Sequence, residues 1–316
     1  MEELIGYLFA FDAVITWALA SLVYKFFQTD LKANIFFRLI CVSSFTFIVS
    51  LFIGSYQFFL NLSKIELISY FLMCFISGGS VTLGDLLYFA ALKRIDASRA
   101  YPLSQLSLVF VYPFAFIFFG EIISPTTLIG GIIILSSVFF LSKKDKPKQE
   151  LVQDKNQLAE EVSEEPAEEI LIGVSLAIGT AVLWALAIIS FNQARIISDD
   201  VFSTNFIRIA LATLFLGVYG LLFDKTFFLG FKKENKDKLK YFGYIGIAGS
   251  LSLGLADSLF YKAAQINGLV LTSSITANTP MAQQLFSILF LKEKFRPRFV
   301  IAVGLIILGN YLIIFL

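Results

Sequence analysis

The chain has 316 residues, 57% of them hydrophobic and 16% charged, with a formal net charge of +1 at pH 7. Together with a mean hydropathy of +0.79, this composition excludes an ordinary soluble protein and indicates an integral membrane protein. The near-neutral charge argues against a nucleic-acid partner. The lack of histidine removes the commonest general base and metal ligand, so we expect no metal, no cofactor and no enzymatic activity.

Ten largely apolar segments follow one another, each about long enough to cross roughly 30 Å of hydrocarbon as a helix. In chain order they span residues 4–26, 34–55, 65–92, 97–119, 124–142, 171–194, 203–223, 241–264, 269–291 and 297–316. The third segment is unusually long, but no charged loop interrupts it, so we predict one helix rather than two short ones. The first segment lacks a basic flank and contains Asp12 and Trp17, which favours a span over a cleaved signal.

Residues 143–169 separate a first half (1–142) from a second half (170–316). This stretch has almost no large apolar residues, and it changes from lysine-rich to glutamate-rich along its length. Such a composition is typical of a solvated, disordered linker.

The two halves are related by internal similarity. Three pairs of special residues share one spacing of 172 positions: Asp85 with Asp257, Glu121 with Glu293, and Pro125 with Pro297. Two further pairs have slightly smaller spacings: Trp17 with Trp184, and Arg38 with Arg208. A shared spacing indicates duplication, and an odd number of spans in each half inverts the second copy relative to the first. The sequence therefore predicts an all-α membrane protein of ten helices in two inverted five-helix repeats.

Asp85 and Asp257 are the leading candidates for a functional site. An aspartate near the middle of a spanning helix costs roughly 2.5 to 3.5 kcal/mol on insertion, so it needs a role or a partner. We expect both to face the interface between the halves and to take up a proton or a cationic group of a substrate. The alternative is that each is neutralised by a basic side chain, with three available: Lys262, Arg208 and Arg38. The neighbours differ, so we expect Asp85 to couple transport and Asp257 to be the one that is paired.

Other polar or amphipathic side chains inside the spans are candidate substrate contacts. They are Asp12, Trp17, Tyr88, Ser104, Gln105, Trp184, Gln193, Tyr261, Thr276, Asn278, Thr279 and Gln283. Hydroxyl groups also pack membrane helices together, and tryptophans also anchor helices at the membrane interface, so these alternatives stay open.

Five residues carry structural expectations. Pro280 is expected to kink its helix. Glu121 and Glu293 are expected to cap helices or form ion pairs, and Arg38 and Arg208 to snorkel towards the interface.

Short motifs in both halves resemble a known family. The first half has Ala91-Leu92-Lys93, then Gly120-Glu121, then Gly130-Gly131, and the second has Ala263-Ala264, Pro280, Glu293 and Gly304. This pattern resembles the EamA domain of the drug/metabolite transporter superfamily. The resemblance implies a multi-pass carrier of the cell membrane, with a central cavity lined by helices 1, 3, 4, 6, 8 and 9. Such carriers move small metabolites such as amino acids, often outward.

We therefore expect a secondary transporter, acting as a monomer or homodimer, with a small-molecule substrate and the lipid bilayer as its partners. A lipid-linked-sugar flippase on the same fold is the alternative, followed by a non-transporting receptor or assembly protein. The membrane orientation has two interpretations. Of 25 lysines and arginines, 21 fall on the linker side, which by the positive-inside rule puts both termini outside, whereas the resemblance implies termini in the cytoplasm.

Overall fold

A computed structural model describes residues 2–24, 31–95, 100, 103–104, 106–142, 167–232, 235–291 and 297–315. These residues are almost entirely helical and contain no strand, as the sequence predicts. The helices are α1 (Glu2–Tyr24), α2 (Leu31–Phe52), α3 (Lys64–Leu92), α4 (Ser107–Phe119), α5 (Pro125–Ser142), α6 (Ala167–Ser198), α7 (Val201–Leu222), α8 (residues 235–267), α9 (Leu269–Thr276), α10 (Thr279–Leu291) and α11 (Pro297–Phe315). Most of the predicted linker, residues 143–166, lies outside the described residues.

Six helices of the described chain are long and apolar enough to cross a membrane: α1, α2, α3, α6, α7 and α8. Three shorter apolar helices lie within α4, α5 and α11. The prediction of one helix over residues 65–92 is confirmed, because α3 runs unbroken for 29 residues. It begins with a capping box in which Ser63 and Glu66 satisfy each other's backbone amides.

Helix α8 departs from regular geometry at two places. It contains two π-helical segments, Phe242–Gly246 and Ser250–Ala256, before the regular turn that begins at Asp257. A π-helical segment displaces backbone carbonyls from their usual partners, and buried carbonyls need a donor. Asn205 on α7 supplies one, since its Nδ2 lies 2.9 Å from the Leu253 carbonyl oxygen and 3.1 Å from that of Gly254.

The ninth predicted segment is a broken helix. Helix α9 ends at Thr276 and α10 begins at Thr279, so Pro280 occupies the first turn of a new helix. Proline is tolerated there because it lacks a backbone N–H, and an N–H in the first turn of a helix has no intrahelical acceptor. The expected kink at Pro280 is therefore a full break, and Asn278 at the break exchanges amide hydrogen bonds with Asn310 of α11.

The halves pack mainly on each other. The most extensive contacts join α3 to α6, α5 to α11, α2 to α7, and α1 to α8, each pairing one helix from each half. Between α5 and α11 the backbones approach closely, because a Cβ at Gly130 would lie 2.6 Å from the Gly309 carbonyl oxygen. Small residues permit such close approach of helices in membranes, where packing replaces the hydrophobic effect.

Hydrogen bonds define two opposite ends of the helical bundle. At one end, which we call the Glu3 face, Asn267 donates to the Glu3 carbonyl oxygen at 3.1 Å. There Glu121 accepts from the amides of Leu269 and Val270, both at 2.9 Å, which confirms its predicted role as a helix cap. The other end, the Lys32 face, holds the ion pairs Lys32–Asp224 and Arg94–Glu169. All five contacts join the first half to the second.

Candidate functional site

A buried ion pair in the second half forms the first part of the site. Arg208 of α7 donates from Nη2 to Oδ2 of Asp257 on α8 at 2.6 Å, and the arginine side chain is only 1% exposed. The other carboxylate oxygen, Oδ1, accepts from the indole Nε1 of Trp17 at 3.1 Å. Trp17 belongs to α1 in the first half, so the two halves together build this cluster.

The first half carries the same arrangement with the halves exchanged. Arg38 of α2 forms a buried ion pair with Oδ2 of Asp85 on α3, and Trp184 of α6 donates from Nε1 to Oδ1 of Asp85 at 3.1 Å. These are the counterparts in the sequence duplication of Arg208, Asp257 and Trp17. In each Trp–Asp–Arg cluster, therefore, one half provides the ion pair and the other half provides the indole.

Aromatic rings lie beside both clusters, at the same sequence positions relative to each aspartate. The residue three positions after each aspartate packs on the indole: Tyr88 on Trp184 with centroids 5.5 Å apart, and Phe260 on Trp17 at 5.6 Å. The residue four positions after each aspartate lies beside the guanidinium, with Arg38 5.9 Å from the Phe89 ring and Arg208 5.8 Å from the Tyr261 ring. Ring faces favour a nearby cation and help to compensate for its burial.

This geometry corrects two expectations drawn from the sequence. Arg38 and Arg208 do not snorkel, since they are 5% and 1% exposed and point at carboxylates inside the bundle. The physical reason is that a charged partner within the protein compensates for burial without extending the side chain to the interface. Asp85 is not the unpaired aspartate, because both aspartates have an arginine.

Lys262 and the two indoles also have clear positions. Lys262 donates to Gln265 at 2.7 Å rather than to Asp257. Trp17 and Trp184 bond to buried carboxylates, which distinguishes them from interfacial anchors.

The two clusters differ in their surroundings. Arg208 has a second ring beside it, with Phe191 at 5.1 Å, and Phe191 stacks on Tyr261 with centroids 3.6 Å apart. Arg195, which lies within electrostatic reach of Tyr261, is 9% exposed, and its side chain donates to the amide oxygen of Asn192 at 2.6 Å. Tyr261 of the second cluster thus has two buried guanidinium groups near it, those of Arg208 and Arg195.

Arg208 also retains unused donors. Its Nε and Nη1 are buried and reach no acceptor with hydrogen-bond geometry in the part of the chain that the structure describes, although the Tyr261 hydroxyl is close enough to interact with it. A buried donor without an acceptor costs about 1 to 3 kcal/mol, so this position favours an incoming acceptor group.

The remaining sequence candidates divide by their surroundings. Thr276 and Thr279 are buried, and their hydroxyls donate to the Ser273 and Thr276 carbonyl oxygens at 3.1 and 2.7 Å, which is typical of helix packing. Ser104 is buried, Gln193 and Gln283 are half-buried, and Asp12 is exposed on α1. Gln105 and Glu293 lie outside the described residues.

Comparison with known proteins decides the family. The model of the EamA-like transporter family matches residues 4–143 and 171–315. The chain belongs to the EamA-like transporter family. An "Uncharacterized transporter" of Archaeoglobus fulgidus is 24% identical over 237 residues, covering 74% of this chain and 72% of the relative. A solved structure described only as "Crystal structure of protein" is 14% identical, with a TM-score of 0.71 over 97% of this chain and 95% of that one, a likeness that concerns the fold.

Family membership confirms the resemblance stated from the sequence motifs. With its long apolar helices, the chain is a multi-pass transporter of the cell membrane. The sequence offered Arg38 and Arg208 as partners of the aspartates only as the alternative, and the favoured expectation that they snorkel was wrong. A signal that favours the pairing was present, since Arg38 and Arg208 are duplicated together with the aspartates.

Proposed function

We propose that this EamA-family transporter is a secondary carrier that exports a small zwitterionic metabolite such as an amino acid. Ten spans in two inverted repeats open alternately to the two faces, and the two Trp–Asp–Arg clusters form the poles of the transport pathway. The observation that carries the proposal is the presence of matched clusters, each built from both halves.

The positions of the arginines support the inverted arrangement. Arg38 and Arg208 are each the eighth residue of their helix, about 10 Å along its axis at 1.5 Å per residue. Helix α2 begins at the Lys32 face, whereas α7 begins beside Ser55, whose backbone amide bonds Asp200 at 3.2 Å near the opposite end. The two clusters are therefore displaced from the midplane towards opposite faces, as an inverted pair requires.

The chemistry of an Asp–Arg pair supports a zwitterionic substrate. A buried ion pair is stable while both partners are present, and an isolated buried charge is not. A bound amino acid supplies a substitute for both members of the ion pair. Its ammonium group pairs with the aspartate in place of the arginine, and its carboxylate pairs with the arginine in place of the aspartate. Nε and Nη1 of Arg208 have one nearby hydroxyl between them, that of Tyr261, so one donor remains for such a carboxylate at the second cluster.

A metabolite screen tests this function directly. Purified protein in liposomes is challenged with labelled amino acids, with sugars and with lipid-linked sugars, each with and without a pH gradient. We expect saturable uptake of at least one amino acid and none of the lipid-linked sugar. Movement of the lipid-linked sugar alone would favour the flippase and contradict the proposal. Dependence on the pH gradient would show proton coupling, for which Asp85 and Asp257 are the candidate groups.

A second experiment tests the orientation. The excess of lysines and arginines at the Lys32 face predicts that this face is cytoplasmic and that both termini are outside. A fluorescent protein fused after Leu316 should then fail to mature in cells, whereas alkaline phosphatase at the same position should be active. Bright fluorescence with inactive phosphatase would place the termini in the cytoplasm and reverse the assignment.

A further inference from the structure

A groove of about 890 Å³ lies on the outside of the bundle, apart from both Trp–Asp–Arg clusters. Its walls come from the ends of α1 and α10 and the first part of α8, with Leu19, Val23, Ile247, Leu251 and Phe290 among the apolar lining residues. Lys236 and Lys240, both exposed, lie where the groove meets the Lys32 face. The groove is therefore apolar along its length and positively charged at one end.

The wall formed by α8 is unusual in two ways. Gly243 and Tyr244 belong to the first π-helical segment and Leu251 to the second, and π-helical segments are frequent at functional sites. Helix α3, the counterpart of α8, is an unbroken α-helix. Moreover, a Cβ added at Gly243 would meet no atom within 4 Å. Because Gly243 has no side chain, the groove contains open space at this position that a larger residue would fill.

The groove lies in the part of the chain that contacts lipid. Most of α8, from Leu239 onward, is one of the six candidate membrane spans, and the lining residues Ile247 and Phe290 are 63% and 65% exposed. From Lys240 to Leu251 the helix rises at most about 16 Å, the value for a regular α-helix at 1.5 Å per residue, which suits an acyl chain. The two lysines are four residues apart, so both side chains lie on one helical face and can contact one phosphate.

We propose that this groove binds one anionic phospholipid, with its phosphate between Lys236 and Lys240 and an acyl chain along α1 and α8. The charge at the mouth selects an anionic headgroup over a zwitterionic one, since basic residues at the membrane surface attract anionic lipids. The apolar lining residues stabilise the bound acyl chain through the apolar surface that the two bury against each other. This site does not depend on the proposed substrate, because it shares no residue with the clusters.

Lipid binding to the purified transporter tests the proposal. Dioleoyl phosphatidylglycerol and dioleoyl phosphatidylcholine are added in turn to delipidated protein, and bound lipid is counted by native mass spectrometry alongside the midpoint of thermal unfolding. We expect one phosphatidylglycerol to bind preferentially. The double variant Lys236→Gln/Lys240→Gln should weaken its binding about 25-fold, since each basic residue contributes roughly a fivefold effect.

Matched controls separate the groove from general charge attraction. Lys225→Gln/Lys232→Gln removes the same charge from the preceding segment, outside the groove, and should leave lipid binding unchanged. Gly243→Phe fills the groove without altering charge and should reduce binding, whereas Gly304→Phe also meets open space, elsewhere on the surface, and should not. If Gly243→Phe fails to fold, Leu251→Trp serves the same purpose.

Three results would overturn the proposal. Equal binding of the two lipids would remove the selectivity for an anionic headgroup. Equal loss in the two double-lysine variants would show diffuse attraction instead of a site. Full binding in folded groove-filling variants would place the lipid elsewhere.

Discussion

Replacing Arg208 with methionine should lower the free energy of unfolding by about 3 to 5 kcal/mol, because it leaves the Asp257 carboxylate buried without its cation. Asp257 is 7% exposed, and the Trp17 indole at 3.1 Å is the hydrogen-bond donor that remains. Replacing Asp257 with leucine should have an effect of similar size through the unpaired guanidinium. Chemical denaturation in detergent micelles measures both.

The double variant is the decisive control for this prediction. Arg208→Met/Asp257→Leu removes both charges together, and apolar replacement of a whole buried ion pair is often neutral. We therefore expect it to regain most of the stability lost in the single variants. The corresponding single and double variants of Arg38 and Asp85 should show the same pattern of lost and regained stability. Additive losses in the double variants would contradict the description of these residues as mutually dependent pairs.

Locking the Glu3 face should abolish transport reversibly. A Cβ at Gly6 of α1 would lie 2.5 Å from the side-chain amide of Asn267 on α8, so Gly6→Cys/Asn267→Cys places two thiols within bonding reach. The disulfide joins the two halves at a face that must open in alternating access. We expect uptake to fall below detection on oxidation and to return with reductant.

The lock requires a background without the native thiols Cys41 and Cys74, which are both free. Serine at both positions gives that background, and each single cysteine variant serves as the control that oxidation should not inhibit. Full uptake by protein that is completely cross-linked would contradict opening of the Glu3 face between α1 and α8.

The sequence predicted much of the fold because its signals were local. Apolar length predicted the helices, including the single long α3, and the position of Glu121 at a helix end predicted a cap. The duplication predicted that Asp85 and Asp257 would both face the interface between the halves, and each accepts a hydrogen bond from a tryptophan of the other half. The expected difference, in which only Asp257 has a basic partner, was wrong, because both aspartates form an ion pair with an arginine.

The tryptophan partners of the aspartates could not be predicted in the same way. Trp17 and Asp257 are 240 positions apart, and helical periodicity indicates which face a residue occupies but not which helix that face meets. Snorkelling and ion pairing are both available to an arginine in a span, and only the packing of α2 on α3 and of α7 on α8 decides between them. The second π-helical segment of α8, Ser250–Ala256, likewise has a tertiary contact, because the side-chain amide of Asn205 donates to two of its carbonyl oxygens.

The central claim, that the Trp–Asp–Arg clusters act in transport and not only in packing, is tested most directly by uptake in the charge-free double variant. Arg208→Met/Asp257→Leu is reconstituted beside the wild-type protein, and initial uptake of the amino acid that the wild type moves fastest is measured at matched protein content. Loss of charge-assisted hydrogen bonds worth about 1.5 to 3 kcal/mol each should slow uptake roughly 100-fold in a stable protein. An unchanged rate in that folded variant would contradict the account and leave the clusters as structural ion pairs.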